Sequence, residues 1–207
     1  MLKRTKGRLL LTLLVITGLA GTLKDSTIST KERKSAATLM KDTKADVLKS
    51  VKGLTNVQLN FKPTPNSWSV KECIYHIAIS EKNLWDMLEN TMKGAATPEK
   101  RSEIKLTDEQ LIDMIENRSN KVRTVASLEP QNTPYKSLDE ALSAFKSTRA
   151  DHIKYIKSTT EDLRNHIVQM RFGAIDCYQL CLMIASHSNR HIQQINEVKA
   201  EPSFPSQ

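Results

Sequence analysis

Cysteine is scarce in this chain, with three among 207 residues. An odd number this small does not provide the framework of a disulfide-rich secreted protein. Cys177 and Cys181 also stand four residues apart on one predicted helix, a spacing that gives poor disulfide geometry. We interpret all three cysteines, the first of which is Cys73, as small buried hydrophobic side chains. Because no cysteine lies near the N-terminus, the chain offers no acceptor for the lipid of a bacterial lipoprotein.

A long hydrophobic segment is also missing from the N-terminal region. The apolar run at residues 9–20 is shorter than the roughly 20 residues that a membrane-spanning helix needs. Four basic residues precede this run, and Gly18 and Ala20 place small side chains where a signal peptidase reads. We therefore predict a secretory signal at residues 1–21, with an uncleaved N-terminal anchor as the alternative. Either reading places the rest of the chain outside the cytoplasm, in a periplasmic or other extracytoplasmic compartment.

The excess of positive charge is modest once the signal is set aside. The whole chain has 31 Lys and Arg against 23 Asp and Glu, a formal charge of +8. Without the four basic residues of the signal, 27 Lys and Arg remain against 23 acidic residues, a charge of +4. The basic residues alternate with acids, as at residues 31–34 and 99–101, instead of forming a stripe with aromatics. The sequence thus argues against a nucleic-acid partner.

Alternating strand patterns, internal repeats and low-complexity tracts are absent from the sequence, whereas helix starts are frequent. At five places a small polar residue is followed three residues later by Glu or Gln, which is the pattern of a helix N-cap. The five pairs are Ser29/Glu32, Ser69/Glu72, Thr107/Gln110, Ser137/Glu140 and Asp176/Gln179. The predicted helices span about residues 29–52, 69–92, 107–127, 137–158 and 176–199, and a further short turn is predicted near residues 160–166.

The segments between these helices contain turn-forming residues such as Pro63, Gly94 and Pro130. Helices of four to six turns with connections of moderate length predict an all-α fold, an up-and-down-type four-helix bundle with an extra helix. We predict one such domain at residues 29–205.

The last predicted helix carries two histidines on its hydrophobic face. One face of this helix consists of residues three or four positions apart, namely Leu180, Ile184, His187, His191, Ile195 and Val198. Buried imidazoles need polar partners, and side chains four residues apart can converge on one metal ion. Two hydrogen-bonded core histidines explain the same spacing equally well. His76, on the flank of the apolar face of the second helix, is the candidate third ligand, whereas we interpret His152 and His166 as surface or loop residues.

Two stretches of the chain resemble the DinB-like superfamily. One is NSWSVKECIYHIAISE at residues 66–81, in which a Trp-Ser pair opens a helix and His76 follows the Trp by eight residues. The other is FGAIDCYQLCLMIASHSNRHIQQINEV at residues 172–198, where His187 and His191 precede a Gln-Ile pair. The resemblance extends over about residues 29–205.

The resemblance implies a helical bundle with a three-histidine site for a divalent metal at His76, His187 and His191. Nickel, zinc, iron or manganese would be the ion. Some relatives are thiol-dependent transferases or isomerases that use bacillithiol, mycothiol or glutathione, and relatives often form homodimers.

Three histidine ligands leave coordination positions open, as a catalytic ion requires. The sequence therefore favours a metal-dependent hydrolase that uses water, or a thiol-dependent transferase, acting on a small-molecule substrate. The export signal favours water over a thiol as the nucleophile, because thiol cofactors of this kind are mainly cytosolic. The alternative is a non-catalytic metal-binding or stress-associated bundle, which predicts a closed site with four protein ligands. A DNA-damage role ranks last, given the small charge and the export signal.

We assign structural roles, and not roles in binding or catalysis, to the residues near the predicted ligands. Arg190, on another face of the last helix, is read as a solvated or salt-bridged side chain, although an arginine there can also bind an anionic group. Cys73 and Cys181 are interpreted as packing residues, with lining of the pocket or ligation of the metal as the alternative. Trp68 and Trp85 are likewise interpreted as core or helix-entry residues and not as substrate platforms.

Overall fold

A computed structural model describes residues 28–119 and 123–206 of the chain. The predicted secretory signal at residues 1–21 lies outside the described residues. Within the described part, no helix is both long enough and apolar enough to span a membrane.

Six α-helices, two strands and three 3₁₀ turns make up the described chain. The helices are α1 (Thr30–Val51), α2 (Asn56–Asn60), α3 (Val70–Met92), α4 (Asp108–Glu116), α5 (Leu138–Ser158) and α6 (Cys177–Lys199). The strands are β1 (Ile167–Met170) and β2 (Gly173–Asp176), and the 3₁₀ turns are Pro98–Glu103, Ala126–Leu128 and Pro130–Asn132. The predicted helical bundle is confirmed, and the strands are an addition to it.

The five predicted helix starts are confirmed, because each cap residue accepts a hydrogen bond from the backbone N–H three residues on. At the start of α1, Oγ of Ser29 accepts from the Glu32 N–H at 3.2 Å, and Oε2 of Glu32 accepts from the Ser29 N–H at 2.7 Å. Thr55 and Gln58 form the same reciprocal pair at the start of α2, a short helix that we did not predict.

The prediction for the helix at residues 107–127 was wrong at its C-terminal end, because α4 stops at Glu116. Asn117 follows in an extended conformation, and its Oδ1 accepts from the Ser119 N–H at 2.8 Å. A local bond of this kind competes with continuation of the helix. The 3₁₀ turns Ala126–Leu128 and Pro130–Asn132 come next in the described chain and pack against α3.

The expectation that no segment forms a strand was also wrong. β1 and β2 pair antiparallel, with Ile167 opposite Asp176 and Met170 opposite Gly173. Gly173 closes the two-residue turn with a φ of +130°, a backbone conformation that other residues rarely adopt. Strands of four residues are too short to show a clear alternation in the sequence. Asp176 ends β2 and also caps α6, so the hairpin leads directly into the last helix.

Arg164 connects the start of α6 to two other helices. Its guanidinium donates to Oδ2 of Asp176 at 2.9 Å, to Oε1 of Glu32 on α1 at 3.0 Å and to Oδ2 of Asp108 on α4 at 2.6 Å. The same guanidinium lies over the ring of Tyr178, 4.1 Å from its centroid. Because Asp176 is the N-cap of α6, these ion pairs determine where the helix begins relative to α1 and α4.

The bundle consists of α1, α3, α5 and α6. α1 packs against α5 and α6, and α3 packs against the same two helices, so α1 and α3 occupy opposite corners. α4 is the extra helix and packs against α6.

The core of the bundle is divided into two hydrophobic clusters. One contains Met40 of α1 and Leu88 of α3, and the other contains Val47 of α1 and Ile74 of α3. The order of the two clusters along each helix shows that α1 and α6 run in one direction, and α3 and α5 in the other. The consecutive bundle helices α3 and α5 are thus parallel, which departs from the up-and-down order that we predicted. The segment between α3 and α5, which includes α4, therefore returns the chain to the end of the bundle where α3 began.

Candidate metal centre

The structure brings the three predicted histidines together between α3 and α6. Nε2 of His187 lies 3.3 Å from Nε2 of His76 and 3.2 Å from Nε2 of His191. One nitrogen from each ring lies within 4.8 Å of the other two. The i, i+4 spacing places His187 and His191 on adjacent turns of α6, and the packing of α3 against α6 supplies His76.

The outer nitrogens of two rings are held by acceptors that determine which nitrogen carries the proton. Nδ1 of His76 lies 2.7 Å from the carbonyl oxygen of Leu128, which can only accept, so the proton is on Nδ1. Nδ1 of His191 lies 2.9 Å from Oε1 of Gln194, and that oxygen also accepts from Nη1 of Arg118 at 3.3 Å. The Nε2 atoms of His76 and His191 therefore direct lone pairs, and not protons, toward the centre of the cluster.

The same three rings are neutral at ordinary pH. Burial lowers the pKa of His76 below its usual 6.5, lowers that of His187 to about 3, and lowers that of His191 well below 6.5. The neighbouring rings lower the pKa values of His187 and His191 further. A neutral imidazole offers a nitrogen lone pair to a metal ion without first losing a proton. The donor set thus fits a divalent ion with imidazole ligands.

One side of the cluster is more open than the others. His76 and His191 are 3% and 6% exposed, whereas His187 is only partly buried. The indole of Trp68 covers part of the site, with its centroid 4.8 Å from the His76 ring and 5.8 Å from the His191 ring. Within residues 28–119 and 123–206, no Asp, Glu or Cys joins the three histidines as a further ligand. Three protein ligands are fewer than the four of a closed structural site, so an ion held here would have a coordination position left for a further group.

The interpretation of His152 as a surface or loop residue was wrong, because it is buried on α5, whereas His166 lies in a loop as predicted, although it too is buried. His152 lies on α5, its Nδ1 is 2.9 Å from Oε1 of Glu81, and its ring stacks on Trp85 at 3.6 Å between centroids. His166 does lie in a loop, where its ring contacts the carbonyl oxygen of Asp162 at 2.8 Å. Neither histidine belongs to the three-histidine cluster.

A second polar cluster, which we did not predict, lies next to the histidines and separates the two hydrophobic clusters. Its centre is Arg149 of α5, which has no exposed surface and makes two hydrogen bonds of 2.5 Å to the carboxylate of Glu81 on α3. Arg149 also donates to Oγ1 of Thr43 on α1 at 2.8 Å and to Oγ of Ser188 on α6 at 2.9 Å. With His152, these residues form a buried ionic layer that connects all four helices of the bundle.

The remaining neighbours behave largely as the sequence indicates. Cys73 and Cys181 are fully buried free thiols in the hydrophobic clusters, and burial raises the pKa of each above its usual range. Arg190 donates to the carbonyl oxygen of Ile115 at 3.2 Å, and so it helps to connect α6 to the end of α4. The contacts of Trp68 with the histidine rings, by contrast, place it at the site itself.

Comparison with known proteins supports this picture of the chain. The sequence profile of the DinB superfamily matches residues 39–195, which is more than half of the 207 residues. The uncharacterized protein YuaE of Bacillus subtilis (strain 168) is 23% identical over 163 residues, 78% of this chain and 95% of that protein.

A solved structure has a similar fold. It is that of YfiT from Bacillus subtilis, described as a probable metal-dependent hydrolase with an unusual four-helix bundle topology. The TM-score is 0.57 at 15% sequence identity, and the alignment covers 84% of this chain and 89% of YfiT. At that identity the similarity establishes the fold alone.

Proposed function

The chain belongs to the DinB superfamily, and from that premise we propose that it is a divalent-metal-dependent hydrolase whose ion is held by His76, His187 and His191. The observation that carries the proposal is the convergence of the three Nε2 atoms, with neighbouring pairs 3.2 and 3.3 Å apart. A divalent cation at this point would accept a lone pair from each of the three rings.

The residues of the chain have separate roles in this site. The carbonyl of Leu128 and the side-chain oxygen of Gln194 keep Nε2 of His76 and His191 free to coordinate, because each accepts a hydrogen bond from Nδ1–H of the same ring. Trp68 shields two of the rings, and the partly exposed side at His187 admits a substrate. When bound, a divalent ion supplies Lewis acidity, which polarises a carbonyl group and activates water.

Two observations favour hydrolysis over thiol transfer. YfiT, which has a similar fold, is described as a probable metal-dependent hydrolase. The N-terminal residues predict export, and low-molecular-weight thiol cofactors are mainly cytosolic, so water is the nucleophile at hand outside the cytoplasm. The presence of three histidines without a fourth protein ligand in the described residues also favours a catalytic site over a closed structural one.

The metal site is tested by elemental analysis of the untagged protein from its native compartment, beside a His187→Ala/His191→Ala double variant. We expect about one divalent ion per chain in the native protein and none in the double variant. His166→Gln is the matched control, because His166 is buried outside the cluster, and it should retain the ion. A native protein without metal, together with unchanged melting of the double variant, would reduce the histidines to core residues.

Hydrolysis is tested separately on a panel of chromogenic esters and amides. Metal-loaded protein should cleave at least one member of the panel, and both the chelator-treated protein and the double variant should not. A protein that binds the ion but neither hydrolyses the panel nor transfers a thiol would be a non-catalytic metal-binding bundle, which contradicts the catalytic part of the proposal.

A further inference from the structure

Ser80 lies one turn after His76 on α3, and its hydroxyl is turned into the histidine cluster. The side chain is 1% exposed, and Oγ lies 3.4 Å from Nε2 of His76. Since Nδ1 of His76 carries the proton donated to Leu128, Nε2 is the acceptor and Ser80 is the donor.

Three other buried hydroxyl groups of the bundle, those of Thr43, Ser50 and Ser188, donate to backbone carbonyl groups of their own helix. Oγ of Ser50 donates to the carbonyl of Val47 at 2.7 Å, and Oγ1 of Thr43 donates to that of Leu39 at 2.8 Å. These bonds follow the usual pattern for serine and threonine within helices. Ser80 departs from this pattern, because within the described residues its hydroxyl contacts a ring nitrogen of the metal site.

Coordination of an ion removes the acceptor that Ser80 now uses. Nε2 of His76 has a single lone pair, and that lone pair would be shared with the ion. A hydroxyl that is 1% exposed then needs another acceptor, because an unsatisfied buried donor is unfavourable. A group that occupies the open coordination position of the ion, beside His76, would provide such an acceptor.

We propose that Ser80 is a substrate-binding residue, which donates a hydrogen bond to an acceptor atom of the ligand held beside the three histidines. The chemistry that satisfies both groups is an electron-rich atom that faces a cation on one side and a hydroxyl on the other. Carbonyl and carboxylate oxygens have this property, so the substrate class is a molecule with a carbonyl or carboxylate group at the site. This inference rests on the proposed function, because it requires the three histidines to bind an ion.

Azide binding to the cobalt-loaded protein provides the test. Visible absorption reports Co²⁺ held by the histidines, and its change on titration with azide reports an anion at the open side. We expect Ser80→Ala to weaken azide binding about tenfold, the loss that corresponds to one hydrogen bond to a charged group. The affinity for Co²⁺ itself, measured by competition with a chelator, should stay unchanged. Alanine is favoured within helices, so the variant should fold.

Ser186→Ala is the matched control, because Ser186 is a fully buried serine that precedes His187, and its Oγ has no hydrogen-bond partner in the described chain. It should bind both Co²⁺ and azide as the native protein does. Equal azide affinities in the native protein and Ser80→Ala would overturn the proposal, as would a large loss of Co²⁺ affinity in Ser80→Ala, which would make Ser80 a metal ligand. If the native protein binds no Co²⁺, the proposed function fails and the role of Ser80 fails with it.

Discussion

Two polar clusters lie side by side in the interior of this bundle, and they differ in whether their groups satisfy one another. In the buried ionic layer, Arg149 directs its N–H groups at the carboxylate of Glu81, at two hydroxyl groups and at backbone carbonyls. In the histidine cluster, three Nε2 atoms face one another, and at His76 and His191 the protons are on the outer nitrogens.

This difference separates a structural cluster from a binding site within the same core. The two clusters are connected, since Ser188, which accepts from Arg149, follows His187 directly, and Glu81 follows Ser80. The ionic layer is complete without any added group, and so it stabilises the fold. The histidine cluster instead gathers three ring nitrogens that a cation would bind, which is the arrangement that the proposed metal site requires.

The largest expected effect comes from breaking the ionic layer. Arg149→Met should lower the free energy of unfolding by about 3–5 kcal/mol, because Glu81 would remain as a buried charge without its partner. His187→Met, measured by urea denaturation in metal-free buffer, should change it by less than about 1 kcal/mol or raise it, since no buried charge is left without its partner. Equal losses in the two variants would show that both clusters are structural.

Added metal should raise the stability through the histidine cluster and not through the ionic layer. Zn²⁺ at about 100 times its dissociation constant should stabilise the native protein by about 2.7 kcal/mol, because the folded state alone presents the three nitrogens together. The His187→Ala/His191→Ala variant, with its ionic layer intact, should gain nothing. Thermal melting with and without Zn²⁺ measures the stabilisation of each protein. A similar stabilisation of the double variant would mean that the ion binds elsewhere.

A smaller effect is expected when the support of one ligand is removed. Gln194→Leu should weaken Zn²⁺ binding about 10- to 100-fold, because Nδ1–H of His191 loses its acceptor. Gln193→Leu is the matched control, since the side chain of Gln193 donates to the carbonyl of Glu116 instead. Competition with a chelator gives both affinities. If the Gln194 variant binds Zn²⁺ as tightly as the control, the amide does not orient the ring.

The smallest effect is the response of the ionic layer to acid. Burial raises the pKa of Glu81, but the charge and hydrogen bonds of Arg149 and the contact with His152 outweigh it, so the pKa lies below 4.5. A lowered pKa in the folded state contributes stability that is complete above pH 4.5 and is lost as the pH falls through the folded value.

Urea denaturation between pH 6 and pH 3 should therefore show a steeper loss of stability for the native protein than for Glu81→Gln. The difference should be at most about 1.4 kcal/mol per pH unit, the limit for one proton. Parallel curves for the two proteins would mean that Glu81 does not take up the proton in this range.

The helix starts and the three histidines are predictable because both depend on short spacings. Ser69 with Glu72 is a local signal for the start of α3, and it is independent of what the helix packs against. The spacing of His187 and His191 likewise follows from the period of a helix. That His76 meets them was predicted from the resemblance to a family together with the packing of helices in a bundle.

The groups that complete the site were not predictable in the same way. Leu128 contributes a backbone carbonyl, which leaves no mark in a sequence, from a 3₁₀ turn 52 residues away from His76. Arg149 did leave a signal, since Phe145, Arg149, His152 and Ile156 share one face of α5. A buried arginine on that face requires a buried acid. We misassigned His152 because we gave more weight to its charged neighbours along the chain than to its position on the helix.

The hairpin before α6 sets the rotational phase of the histidines. α6 begins at a fixed point, because Asp176 is at once a paired strand residue, an N-cap and a partner of Arg164. His187 stands about three full turns further on, so it faces nearly the same direction as that anchored residue. One residue inserted between them would turn both histidines of α6 by about 100°, away from His76, while leaving the helix intact. The spacing from strand to ligand is therefore as much a part of this site as the ligands themselves.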